Sequence, residues 1–142
     1  MPVSARTCQT HPHPATQRPR ILHVEDNPTI AALVARFLRA KGCLVQHAAN
    51  GSEALPKILA RPDLHDLIIM DYSMPQLDGF ECVKALRANG FDGKIIVLTT
   101  SLPHGMEKQF LALGVSRILY KSPDLASLYR VIRDLLKSPE TE

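Results

Sequence analysis

LIIMDYSMPQLDGFE, residues 67–81, is the stretch of the sequence that decides the fold. Its first four residues are apolar without interruption, which is typical of a strand buried on both faces of a parallel sheet. Asp71 follows directly, at the C-terminal end of that strand. From Gly79 onward apolar residues recur at helical spacing, so a helix is predicted over residues 79–88. A buried strand followed by an amphipathic helix is the building unit of an α/β protein.

Four more units of the same kind surround this segment. The predicted strands cover residues 21–24, 44–48, 66–70, 94–99 and 115–120. The predicted helices cover residues 28–41, 52–60, 79–88, 104–113 and 124–137. Apolar strands that alternate with helices indicate a parallel sheet covered on both faces, and right-handed crossovers then give a doubly wound α/β fold.

Proline and glycine set the expected helix ends. Asn27-Pro28 supplies an N-cap followed by proline at the first helical position, and Gly42 is the expected stop of the same helix. Pro56 falls within the predicted second helix. A proline beyond the first turn removes one hydrogen bond of the helix, so a kink is expected there.

The length of 142 residues corresponds to one domain, and 45% hydrophobic and 22% charged residues are typical of a globular protein. We predict a flexible N-terminal tail over residues 1–19, which are too poor in large apolar residues to form a core. The folded domain is predicted over residues 20–137, followed by a short tail over residues 138–142. Because so few residues follow the last helix, the output is expected to lie in a partner protein.

Charge and cysteine content restrict the function classes. The net charge of +3 arises in the first twenty residues, which contain three arginines and no acid, and the rest has no dense basic helix. Direct DNA binding is therefore not predicted. Three widely spaced cysteines form no disulfide framework, which favours a reducing compartment. The sequence contains neither a membrane-length apolar run nor a signal peptide, so we predict a cytoplasmic protein without membrane contact.

Polar residues stand at the C-terminal ends of four predicted strands. Glu25 and Asp26 end the first strand, and Asp71 ends the third. Thr99 ends the fourth strand, and Lys121 ends the fifth. In a doubly wound fold these strand ends form one rim, where ligands bind. Three carboxylates, a hydroxyl and an ammonium are therefore expected to converge.

A cation and an anion both suit such a rim. Three neighbouring carboxylates repel one another unless a cation lies among them, and all-oxygen donors favour a hard ion such as Mg²⁺. The ammonium of Lys121 and the hydroxyl of Thr99 suit an anionic group bound beside that ion. Phosphoryl is the natural candidate, and an aspartate can serve as its covalent acceptor.

These residues resemble the receiver domain family of bacterial response regulators over about residues 20–137. The segment 67–81 is similar to the family's phosphoacceptor segment, with Met74-Pro75 and Asp78-Gly79 at the usual distances after the aspartate. The acidic metal-binding pair, the switch hydroxyl and the fifth-strand lysine are matched by Glu25-Asp26, Thr99 and Lys121. The resemblance implies a stand-alone receiver with a flavodoxin-like (βα)5 fold and strand order 2-1-3-4-5.

The resemblance also implies roles for the acids. Asp71 would accept a phosphoryl group from a sensor histidine kinase or a histidine phosphotransfer protein. Asp26 and Asp71 would bind Mg²⁺ together with the backbone carbonyl of Ser73, while Glu25 would act mostly through water. The chain would be a phosphoacceptor that catalyses its own phosphorylation and dephosphorylation, not an enzyme with a separate substrate.

The remaining implied roles concern switching. Lys121 would pair with a phosphoryl oxygen, and Thr99 would turn to hydrogen-bond the phosphate. That movement would rearrange the face formed by the fourth helix, the fifth strand and the fifth helix, where a downstream effector protein would bind. A homodimer is compatible with the same face.

Several positions depart from the family's pattern, among them Thr100, which is larger than the usual small residue beside the switch hydroxyl. The order Lys121-Ser122-Pro123 stands where Lys-Pro is common, so the bend after the fifth strand is expected to differ. Ile118 occupies the aromatic switch position three residues before the lysine. Tyr120 is displaced from that position and is expected to face another way.

Three other functions compete with this hypothesis. A degenerate receiver would act as a phosphorylation-independent protein-binding module, but the acids, the threonine and the lysine are all present. A phosphatase of the haloacid dehalogenase type would need a second acid two residues after Asp71, where Ser73 stands. A flavodoxin-like FMN binder would need a phosphate loop after the first strand, where Glu25-Asp26 would repel a phosphate.

Overall fold

The computed structural model describes residues 18–122 and 124–137, so most of the predicted tails and Pro123 lie outside the described residues. The strands are β1 (Arg20–Val24), β2 (Leu44–Ala48), β3 (Leu67–Met70), β4 (Ile95–Thr99) and β5 (Arg117–Tyr120). The helices are α1 (Pro28–Ala40), α2 (Gly51–Ala60), α3 (Gly79–Ala88), α4 (Met106–Ala112) and α5 (Ala126–Leu136). Strands and helices alternate along the chain, as the apolar pattern predicts.

The five strands form one parallel sheet in the order β2-β1-β3-β4-β5. This confirms the predicted doubly wound, flavodoxin-like fold. The chain runs outward from β1 toward β2 and then crosses back to β3, so the topology reverses between β1 and β3. In such sheets the crevice at the C-terminal end of the reversal is the place where ligands bind.

Two apolar layers cover the sheet. One layer packs α2, α3 and α4 onto one face, with Ile58, Leu86 and Phe110 buried in it. The other layer packs α1 and α5 onto the opposite face, with Leu38 and Ile132 buried in it. Because both faces are covered, the central strands β1, β3 and β4 are apolar along almost their whole length.

The ends of α4 and β5 differ from the prediction. The helix was expected from residue 104, but Gly105 adopts a left-handed conformation with φ of 84° directly before Met106. The strand was expected from residue 115, but the amide of Val115 donates to the carbonyl of Phe110 and so belongs to the end of α4. The turns on either side of α4 therefore make both α4 and β5 shorter than predicted.

Pro56 lies beyond the first turn of α2, inside the helix. Its missing N–H leaves the carbonyl four residues earlier without its helical donor. The helix nevertheless continues to Ala60, and Asn50 caps its start by accepting from the amide of Glu53 at 2.8 Å. None of the helices within residues 18–122 and 124–137 combines the length and apolar character needed to cross a bilayer.

Candidate functional site

The loop after β1 holds two acids in different environments. Glu25 is buried, with 1% of its surface exposed, while Asp26 beside it is exposed. The loop is short because Asn27 already caps α1, its side chain accepting from the amides of Thr29 and Ile30 at 2.9 and 3.1 Å. The amide of Asn27 donates in turn to Oε2 of Glu25 at 3.1 Å. The start of α1 therefore fixes the carboxylate of Glu25.

The loop after β3 presents Asp71, which is buried at the strand end. The loop folds back so that the amide of Gly79 donates to the carbonyl of Tyr72 at 2.8 Å. A Cβ atom at Gly79 would lie 2.1 Å from the carbonyl oxygen of Asp71, so no larger residue fits there. Asp78 begins α3 in a capping box with Glu81. Asp78 thus caps the start of α3, and Gly79 allows the close approach to the backbone of Asp71.

The ends of β4 and β5 contribute Thr99 and Lys121. The two residues lie on neighbouring strands, and the amide of Lys121 donates to the carbonyl of Thr99 at 2.8 Å. The side chain of Thr99 is buried, and its hydroxyl donates to the carbonyl of Ser101 at 3.4 Å. The structure therefore places the hydroxyl beside the loop that follows β4.

Lys121 connects the acids of the site. Its ammonium nitrogen lies 2.9 Å from Oε1 of Glu25 and 3.4 Å from Oδ2 of Asp71. Burial of Lys121 opposes its charge, but the hydrogen bond to Glu25 and the charge of Asp71 outweigh burial and raise its pKa. Burial raises the pKa of Glu25 in spite of the contact with Lys121, and the negative charge of Asp71 raises it further. The site is a compact cluster of charges in which the carboxylates of Glu25 and Asp71 are buried.

The three acids of the crevice form a group that suits a metal ion. One carboxylate oxygen from each of Glu25, Asp26 and Asp71 lies within 4.8 Å of the others. All three donors are oxygen atoms, and oxygen is the ligand that Mg²⁺ prefers. Ser73, predicted to add its backbone carbonyl, is exposed in the loop two residues after Asp71. The predicted metal ligands therefore come from the two loops that flank the reversal of the sheet.

Two histidines that were not predicted as site residues lie next to this cluster. His23 on β1 is buried, and its Nε2 lies 3.9 Å from Oε1 of Glu25. His47 stands opposite His23 on β2, and its Nε2 donates to the backbone carbonyl of Glu25 at 2.7 Å. One signal was present in the sequence, because side chains two residues apart on a strand share a face. A polar residue inside an apolar strand, two positions before Glu25, therefore points to the site.

The prediction that Tyr120 faces another way than Ile118 is wrong. Tyr120 donates its hydroxyl to a carboxylate oxygen of Glu107 on α4, and Ile118 packs into the core layer that contains Phe110 of α4. Both side chains therefore point toward α4, as residues two apart on a strand must. The hydrogen bond to Glu107 raises the pKa of Tyr120.

An apolar groove opens beside the charged crevice. It has a volume of about 360 Å³ and runs between α1 and the start of α5. Ile30, Leu33 and Leu125 line it, and Lys121 stands at its edge. Leu33 leaves 53% of its surface exposed. Lys121 therefore lines the groove and also contacts two acids of the crevice, Glu25 and Asp71.

Solved structures share this fold over nearly their whole length. The chemotaxis protein CheY4 of Vibrio cholerae is 30% identical, with a TM-score of 0.74, and the match covers 84% of this chain and 100% of that one. The response regulator TrrA of Thermotoga maritima, solved in complex with Mg(2+)-BeF, is 32% identical, with a TM-score of 0.74. That match covers 83% of this chain and 99% of TrrA.

Curated proteins of similar sequence are longer than this chain. Transcriptional regulatory protein PrrA of Mycobacterium tuberculosis is 35% identical over 119 residues, which cover 84% of this chain and 50% of PrrA. Transcription factor SKN7 of Chaetomium thermophilum is 31% identical over 129 residues, which cover 88% of this chain and 17% of that protein. The chain thus spans half or less of these two relatives. The sequence profile of the response regulator receiver domain matches residues 21–133, and the chain belongs to this family of two-component signalling proteins.

Proposed function

We propose that this chain is a phosphorylation-dependent signalling switch whose phosphoacceptor is Asp71. One observation carries the proposal. The buried carboxylate of Asp71 stands among two further acids within 4.8 Å, with the ammonium of Lys121 at 3.4 Å. A carboxylate that is to carry a phosphoryl group needs this combination of nearby positive charge and a cation-binding group. A phosphorylation-independent binding module would not need the cluster and is not favoured.

The donor in this proposal is a phosphohistidine on a sensor kinase or a phosphotransfer protein. A carboxylate oxygen of Asp71 attacks phosphorus, the new P–O bond forms, and the P–N bond of the donor breaks. The bonding electron pair returns to the imidazole nitrogen of the donor. The chain acts only on itself in this step, so we propose a self-catalysing phosphoacceptor, not an enzyme with a separate substrate.

Each residue of the crevice has a role in this proposal. Asp26 and Asp71, with the carbonyl of Ser73, would hold Mg²⁺, and Glu25 would act mostly through water. When bound, the ion supplies positive charge that offsets the repulsion between the carboxylates and the phosphoryl oxygens. Lys121 neutralises a phosphoryl oxygen. The proximity of the carboxylates of Glu25, Asp26 and Asp71 supports the acidic part of these assignments.

Switching in this proposal starts at Thr99. Its hydroxyl leaves the carbonyl of Ser101 and bonds the phosphoryl group, which moves the loop between β4 and α4. The face formed by α4, β5 and α5 then changes its packing, and a downstream effector protein binds it. Tyr120 and Glu107 lie on this face and join β5 to α4. In the same proposal, two copies of the chain can also form a homodimer through this rearranged face.

The phosphodonor protein is proposed to dock in the groove beside α1. Its phosphohistidine must reach Asp71, and Lys121 touches Asp71 while also standing at the edge of the groove. An apolar helix face of the donor would cover Ile30 and Leu33. We further propose a cytoplasmic location, where the free thiols of Cys43 and Cys82 remain reduced.

A mass measurement tests the central claim. The protein is incubated with Mg²⁺ and acetyl phosphate, and its intact mass is recorded. We expect a gain of one phosphoryl group that depends on Mg²⁺ and is lost in Asp71→Asn. Asp134→Asn on α5, an exposed residue, is the control and should gain the group normally. An unmodified wild-type protein would contradict the proposal.

A further inference from the structure

His23 is a polar residue in an apolar layer of the core. It lies on β1 with 1% of its surface exposed. Neither ring nitrogen has a hydrogen-bond partner among residues 18–122 and 124–137. A buried polar group without partners lowers stability, so its presence calls for a specific explanation. A second state in which the ring of His23 is bonded would supply one.

The ring of His23 points at the buried carboxylate of the site. Its Nε2 lies 3.9 Å from Oε1 of Glu25, which is too long for a hydrogen bond but requires a shift of only about 1 Å to make one. Oε1 is the same oxygen that Lys121 contacts at 2.9 Å. One carboxylate oxygen thus faces an ammonium on one side and an imidazole on the other.

Phosphorylation would remove the ammonium from this oxygen. In the proposed function Lys121 turns to a phosphoryl oxygen on Asp71 and moves away from Glu25. The carboxylate of Glu25 is 1% exposed and would lose its direct contact with a cation, keeping only the water that links it to Mg²⁺ in the proposed function. A buried charge needs a replacement donor. The amide of Asn27 already serves Oε2, so the deficit falls on Oε1.

Resting on the proposed function, we infer that His23 is a positioning residue that donates its Nε2–H to Oε1 of Glu25 once Lys121 has turned to the phosphoryl group. The exchange keeps Glu25 in place while Lys121 is occupied. His47 cannot take this role, because its Nε2 already donates to the backbone carbonyl of Glu25.

Nuclear magnetic resonance of the ¹⁵N-labelled protein tests the hydrogen bond directly. Mg²⁺ with beryllium fluoride serves as the probe for the phosphorylated state. We expect the Nε2–H proton of His23 to move downfield and to exchange more slowly with water on loading, while the ring of His65, away from the crevice, stays unchanged. If the amides of Asp71 and Thr99 respond but His23 does not, the inference is wrong. If none of them responds, the proposed function itself fails.

Variants at His23 give opposite effects in the two states. His23→Leu removes an unpaired polar group, so the unloaded protein should melt at a higher temperature than the wild type. The same variant should bind Mg²⁺ and beryllium fluoride about tenfold more weakly, because a hydrogen bond to a charged group is lost. His23→Gln keeps an N–H donor and should bind within about threefold of the wild type, as should the packing control Ile21→Leu on the same face. Equal binding by His23→Leu and the wild type would overturn the inference.

Discussion

Lys121 and Glu25 form the shortest ion pair of the site, with Nζ and Oε1 2.9 Å apart. The pair joins the end of β5 to the end of β1 across the carboxylate of Asp71, which lies 3.4 Å from the same ammonium. Lys121 is thus held at the phosphoacceptor by a second, buried acid. The pair explains how the ammonium stays in position before any phosphoryl group arrives.

Removing Lys121 should destabilise the fold through Glu25. We expect Lys121→Met to lower the free energy of unfolding by about 2 kcal/mol, below the full cost of breaking a buried pair because Lys121 retains some solvent contact. Glu25→Gln/Lys121→Met should recover most of that loss, since no unpaired charge remains. Urea denaturation without metal measures both. Strictly additive effects of the two substitutions would show that the residues do not interact.

Gly79 should tolerate no side chain. A Cβ atom there meets the carbonyl oxygen of Asp71, so Gly79→Ala must shift the phosphoacceptor loop, costing about 2 kcal/mol of stability and most of the phosphorylation by acetyl phosphate. Gly90→Ala is the matched control. Its position is open space with φ of 88°, so the control should lose about 1 kcal/mol through backbone strain alone and be phosphorylated normally. Equal phosphorylation of both variants would refute the steric argument.

The groove beside α1 should affect phosphotransfer from a protein but not from a small molecule. Leu33→Glu places a charge in the groove and should slow transfer from a phosphorylated histidine phosphotransfer protein at least tenfold. Its phosphorylation by acetyl phosphate should be unchanged, because the crevice stays intact. Leu111→Glu on α4 is the control, as Leu111 is also 53% exposed but lies away from the groove. A groove without a docking role would leave the two variants indistinguishable in the protein assay.

Arg87 should be important for stability although it lies outside the site. Its guanidinium donates to backbone carbonyls in the loops before β4 and β5, at Phe91, Gly93, Leu113 and Gly114. Arg87→Ala leaves these carbonyls unbonded and should cost about 2–4 kcal/mol in urea denaturation. Arg130→Ala removes only an exposed contact to Ser127 and should change stability by less than about 0.5 kcal/mol. Similar losses for the two variants would contradict this assignment.

The buried His23 should make the metal-free protein sensitive to acid. Its pKa falls from 6.5 to about 3 on folding, so between these values the unfolded chain binds the proton and the folded chain does not. Above pH 6.5 His23 therefore does not lower the free energy of unfolding, and below that value it lowers this free energy progressively as the pH falls toward 3. Between pH 7 and pH 5 the wild type should lose about 2 kcal/mol more than His23→Leu. Glu25, His47 and Lys121 surround position 23 in both proteins, so their own titration is common to both profiles. Parallel pH profiles would contradict the buried neutral state of His23.

The sequence predicts the sheet and the position of the site because both depend on local patterns. Apolar runs such as residues 67–70 define strands, and parallel strands bring their C-terminal ends to one rim. Asp71 and Lys121 could therefore be expected to lie close together. The start of α4 escaped prediction because it depends on the left-handed conformation of Gly105, which the apolar spacing does not report.

The finer arrangement of the site escaped prediction because it depends on distances between elements. That Lys121 lies closer to Glu25 than to Asp71 is decided by how far its side chain reaches along the rim, because β4 and β3 separate β5 from β1. The groove exists only where α1 meets the start of α5. The direction of Tyr120 was predictable from the two-residue period of a strand, and applying that period to His23 would also have placed its ring on the side of Glu25.

Reductive trapping locates the phosphoryl group and tests the account most directly. The protein is treated with Mg²⁺ and acetyl phosphate and then with borohydride, which reduces an aspartyl phosphate to homoserine, and its peptides are sequenced by mass spectrometry. We expect homoserine at residue 71 and no reduced residue at the other acids of the crevice. Homoserine at residue 26, 2-amino-5-hydroxypentanoic acid (the product from a glutamyl phosphate) at residue 25, or no reduced residue in a protein that retains its fold would contradict it.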